Sequence, residues 1–159
     1  MTESGPGAGR AVDEVSPGRT AVAIVLGWLV PGAGHAVLGR VRRAGVFFVL
    51  VMGSFGIGLA HDGRLALYAP RDGFLTCLQL VANLGVGPAD AFARMGVYGD
   101  AAYVLPDQFE ASYRPLVETF RARQRSAVSA YGTAYLWSAG LMNLLLLMDV
   151  WDIAKRRKD

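Results

Sequence analysis

Cysteine and charge are what this 159-residue chain has least of. Its one cysteine, Cys77, excludes an internal disulfide framework and any cysteine-built zinc site. His35, His61 and Cys77 have no spacing that would hold a metal ion together, so no metal and no cofactor is expected. Charged residues are 18% of the chain, against roughly 25% in an ordinary soluble domain. Also missing are a Ser-His-Asp order, a phosphate-binding loop, a dinucleotide fingerprint and a metalloprotease helix, so no catalytic residue is assigned and the chain reads as a non-enzyme. The twenty glycines and seven prolines follow no collagen period and form no low-complexity tract.

What is present is apolar length. Hydrophobic residues are 53% of the chain, and the charges are expelled from several long stretches. A helix rises about 1.5 Å per residue and the bilayer core is about 30 Å thick, so about 20 apolar residues are needed to cross. Residues 20–39, 44–60 and 126–150 are predicted as three transmembrane helices. The last of these carries Tyr131, Tyr135 and Trp137 at its start, as a headgroup belt would. Residues 73–89 are also uncharged but contain Gln79, Asn83, Gly85, Gly87 and Pro88, which leaves a re-entrant or interfacial segment open beside a fourth span.

The remaining segments are polar. Residues 1–19 mix Gly, Pro, Ser and charge, and are expected to be a retained flexible tail. Phe109, Tyr113, Leu116, Val117 and Phe120 share one helical face opposite Glu110, Arg114, Glu118, Arg121 and Arg125, which predicts an amphipathic interfacial helix over about 106–125. Pro106 would start that helix and Pro115 would kink it. Residues 155–159 form a basic tail suited to anionic lipid headgroups and too short for nucleic acid. The fold expected is therefore all-α and polytopic, with 20–154 as the membrane domain. Arg40, Arg42 and Arg43 and the basic tail favour three spans, the N-terminus outside and the C-terminus inside.

The string Pro31-Gly32-Ala33-Gly34-His35-Ala36-Val37-Leu38-Gly39-Arg40 resembles a signature of small bacterial membrane proteins of unknown function. It is also distantly similar to the opening of the TM-two-domain membrane hairpin. The closing string from Gly140 through Asn143, Asp149 and Asp152 resembles the end of the same bacterial family. The resemblance implies an integral protein of the bacterial inner membrane and supplies no activity.

The residues of these strings carry their own physics. Pro31, Gly32 and Gly34 loosen a helix and free carbonyls, either for close helix contact or for a substrate or ion site. His35 would bond a freed carbonyl or a headgroup, or relay protons. Asn143, among leucines, needs a partner on another helix. Asp152 is expected to pair with Lys155 or Arg156, and Asp149 with an arginine at 40–43. Ser54 with Gly58, and Ala134 with Ser138, repeat a small-residue spacing. Together these features favour a structural or accessory subunit that associates with itself or with a larger membrane complex. The alternative is a small transporter or channel subunit with its site at the break at 31–35.

Overall fold

The computed structural model describes residues 16–69, 73–105 and 113–155. The expected tail at 1–15, Pro106, Phe109, Glu110 and the basic tail from 156 to 159 lie outside the described residues. Among the described residues the chain is helical: α1 (Pro17–Leu29), α2 (Ala33–Val37), α3 (Val41–Ala60), α4 (Phe74–Leu84), α5 (Pro88–Tyr98), α6 (Arg114–Arg125) and α7 (Ser129–Ala154). Two of them, α3 and α7, are long and apolar enough to cross a membrane.

The segment at 20–39 is not the single helix expected. Proline disfavours the helical region for the residue before it, and Val30 is extended (φ −134°, ψ 110°). Gly32 then takes φ +84°, a left-handed turn that a side chain would strain. The chain doubles back: Gly34 lies against the Ala23 carbonyl, and Arg19 Nη2 donates to Val37 O at 2.8 Å near the entry. The α1–α2 pair is thus a hairpin, and Gly39 (φ +82°) ends it before α3 starts. Two helices rather than three therefore traverse the bundle, and its two described ends lie together, with Pro17, Thr20, Trp151 and Lys155 lining one groove.

Residues 73–89 form a second hairpin, entering from the opposite end of α7. Here α4 runs parallel to α7, with Ala82 against Gly140 and Gly85 against Gly140 and Leu144. Gly87 (φ +77°) turns the chain with Pro88 opening α5, whose Tyr98 returns to donate to Leu65 O at 3.2 Å. The reading of 73–89 thus holds one helix and the start of another, which runs on to Tyr98.

Glycine sets how closely these elements approach. A Cβ at Gly140 would strike the Ala82 carbonyl, and one at Gly132 would meet the carbonyls of His61 and Gly58. Antiparallel α3 buries Ala44, Val51, Phe55 and Gly58, with Gly58 against Leu136. The core gathers Val51, Phe55, Leu65, Val86, Leu136 and Ala139, closed by Leu116 and Val117 of α6. Pro115 sits in the first turn of α6, where its missing N–H costs nothing, rather than kinking an interior.

Candidate functional site

The two hairpins meet tip to tip beside Asn143, near the middle of α7. Asn143 is fully buried, and its Nδ2 donates to Gly27 O at 3.3 Å and to Gly85 O at 2.8 Å. Both acceptors stand at helix ends, where the last carbonyls lack intrahelical donors. One amide thereby joins α1, α4 and α7, the cross-helix partnership that an asparagine among leucines requires. Trp28 Nε1 adds a bond to Leu84 O at 3.0 Å, and the Gly87 backbone lies directly on the Trp28 carbonyl.

The first hairpin holds most of the string singled out in the sequence. Pro31, Gly32, Gly34 and His35 are buried, Gly39 is exposed, and Arg40 is half-buried as the N-cap of α3. The Arg40 N–H donates to His35 O at 2.8 Å, tying the end of the hairpin to the start of α3. The His35 ring is fully buried, and its Nε2 donates to Asp149 Oδ2 at 3.0 Å. A carboxylate accepts and does not donate, so the contact places the proton on Nε2. His35 Nδ1 is buried without a partner, and the ring packs on Phe47 with centroids 4.9 Å apart. The cation expected beside Asp149 was an arginine from 40–43. The structure brings His35 within hydrogen-bond range of Asp149, because the break folds the hairpin back along α7. Asp152 is half-buried one turn further on, and Lys155 lies over the Trp151 ring at 5.5 Å.

A second polar cluster went unnoticed in the sequence. Asp90 and Arg94 are both fully buried, and Arg94 Nε donates to Asp90 Oδ2 at 2.8 Å. Arg94 Nη1 also donates to Ala66 O and Ala102 O, and the guanidinium stacks on Tyr103 at 4.2 Å. Burial, and next the Asp90 carboxylate, push the Tyr103 phenol above its ordinary range. The signal available was the i,i+4 spacing of Asp90 and Arg94 in a helix. Among the described residues no group of three or more His, Cys, Asp or Glu could hold a metal ion.

Chemically, this is an all-helical bundle with two helices of membrane-crossing length and polar side chains spent on closing its own breaks. The chain belongs to a family described as "Family of unknown function (DUF6677)", whose model matches residues 22–159. The match takes in the first hairpin from residue 22 on, the whole of the second, both long helices and α6. No curated protein and no solved structure matches the chain.

Proposed function

We propose that the protein is an integral, multi-pass protein of a cell membrane, with α3 and α7 crossing and the two hairpins re-entering from opposite faces. In this arrangement residues 16 and 155 share one side with Arg40, Arg42 and Arg43, as the positive-inside tendency favours for a cytoplasmic face. The basic tail would rest on anionic headgroups there. Within the membrane the protein serves as a structural or accessory subunit and not as an enzyme, packing against a second copy or a larger complex.

The observation that carries this reading is the division among its glycines. Gly34, Gly58, Gly132 and Gly140 are pressed against backbone or core side chains, whereas a Cβ at Gly45, Gly53 or Gly56 would meet nothing within 4 Å. At about 100° per residue, those three fall with Val49 and Ala60 within roughly 80° of arc on α3, a smooth outward stripe that a neighbouring helix could approach closely. Of the spacings noted in the sequence, Gly58 faces inward while Ala134 and Ser138 are exposed. Purification from native membranes in mild detergent tests the reading. The wild type should travel as an oligomer or with a companion, and a Gly53→Ile, Gly56→Ile variant should travel alone with unchanged melting. A wild type that runs as a lone monomer would overturn it.

One observation favours the transporter reading. His35 joins a buried, unpartnered Nδ1 to a carboxylate whose side chain is 32% exposed, as a proton-carrying pair at a helix break would. Proton flux into vesicles that wild type supports and Asp149→Asn abolishes would establish that role.

A further inference from the structure

We infer that the protein holds one anionic phospholipid at the end of the bundle where α7 begins. Two adjoining hollows form the site. The first, about 290 Å³, lies among α4, α6, α7 and the segment after α3, and is lined by Arg64, Gln79, Gln124, Thr133 and Trp137 among others. The second, about 310 Å³, is almost wholly apolar and runs between α4 and α7 past Leu75, Leu78, Val81 and Leu141. Gln79 and Trp137 line both, so the polar hollow opens into the apolar groove.

Two residues that line the polar hollow carry donors without an acceptor: Arg64 Nε and Trp137 Nε1 are both buried with no hydrogen-bond partner. Unsatisfied donors of this kind are uncommon in folded proteins and ask for an explanation, which a bound anion supplies here. The Arg64 backbone is held in place, since its N–H donates to Thr133 Oγ1 at 3.0 Å and that hydroxyl donates to Ser129 O at 2.6 Å. A second cation stands close by, with Arg123 Nη1 donating to Gly63 O at 2.9 Å. Among the described residues no acid lines the hollow, so its charge favours an anion. Arginine and indole N–H groups match phosphate oxygens, and the hollow has room for the glycerol beside them.

The groove decides between a free phosphate and a lipid. Leu75, Leu78, Val81 and Leu141 are 71%, 47%, 52% and 51% exposed, an apolar trough suited to an acyl chain. Trp137 stands eight residues into α7, about 12 Å from its start, just beyond the exposed Tyr131 and Tyr135. Tryptophan and tyrosine are the side chains that gather on the headgroup side of a membrane.

The test uses the full chain purified in mild detergent, with phosphatidylglycerol titrated against melting temperature and followed by native mass spectrometry. One phosphatidylglycerol should bind and raise the melting temperature by several degrees. Phosphatidylcholine with the same chains should bind at least tenfold more weakly, and millimolar inorganic phosphate should give no shift. Arg64→Gln should weaken phosphatidylglycerol binding at least tenfold while leaving the unliganded melting temperature unchanged, because it removes a donor that bonds nothing. Should that variant fold poorly, Leu78→Trp, on the exposed rim, gives the same reading by filling the groove. Equal binding by wild type and both variants, equal binding of phosphatidylcholine, or inorganic phosphate acting as well as the lipid would each overturn the inference. A chain that stays in the membrane fraction but binds phosphatidylglycerol without regard to Arg64 loses this site and keeps its membrane assignment.

Discussion

The two hairpins are built from similar material and close differently. Each is an apolar stretch broken by glycine and proline, and each turns beside Asn143. In the first, proline follows the residue it distorts, so Val30 is driven out of helix and the return, α2, lasts only five residues. In the second, Pro88 stands at the first position of α5, where proline favours a helix, and the return runs for eleven residues. The first keeps its acid–base pair near the open end, with Asp149 partly exposed, whereas the second buries Asp90 and Arg94 completely. Proline before the turn breaks the first hairpin at Val30, whereas proline after the turn opens the second return; the pair of the first hairpin reaches across to α7, and that of the second lies within one helix.

The contrast can be broken most violently at Gly140, where the second hairpin touches α7. Gly140→Ala should abolish folding or cost more than about 4 kcal/mol, because its Cβ would occupy the place of the Ala82 carbonyl. Gly53→Ala should stay within about 0.5 kcal/mol, and unfolding in detergent compares the two.

Enclosure of the charges is tested next. Asp90→Asn should cost about 3–5 kcal/mol by leaving Arg94 buried without its counter-charge. The double replacement of Asp90 and Arg94 by leucine should recover much of that loss, since both costly groups then leave together. A double variant as unstable as the single one would mean that the Arg94 bonds to Ala66 and Ala102 dominate.

The junction between the hairpins should respond less. Asn143→Ala is expected to cost about 0.6–2 kcal/mol. Trp28→Phe, which deletes the donor to Leu84 O, should cost a similar amount, and the pair should be non-additive because both bonds hold one contact. Strict additivity would show that the tips are held independently.

Among the hairpin contacts the smallest effect is expected at the mouth of the first. Asp149→Asn keeps an acceptor for His35 Nε2 and sits where water screens its charge, so the loss should stay below about 1 kcal/mol. Melting curves that place this variant below Asp90→Asn would reverse the ranking of the two hairpins.

Helix type was legible in the sequence because it depends on local pattern: the uncharged runs became α3 and α7, and the apolar face at Leu116, Val117 and Phe120 became α6. Asn143 was legible too, since an amide among leucines has few options. The first hairpin was not, because a run of 20 uncharged residues looks the same whether it continues or returns, and only the backbone at Val30 and Gly32 decides. For the same reason the contact of Asp149 with His35 was not legible, since it depends on which way α2 runs. Arg64 and Trp137 come together across 73 positions, a proximity no local spacing announces.

Asn143 also arrives late in synthesis. Its two acceptors were synthesised 116 and 58 positions earlier, so both hairpin tips exist before the side chain that satisfies them. Until the ribosome has delivered α7, the Gly27 and Gly85 carbonyls must be served by water or by transient partners. The last helix therefore acts as a keystone: the Trp28 bond to Leu84 can draw the two earlier arches together, but a chain stopped short of residue 143 lacks the amide that serves both crowns.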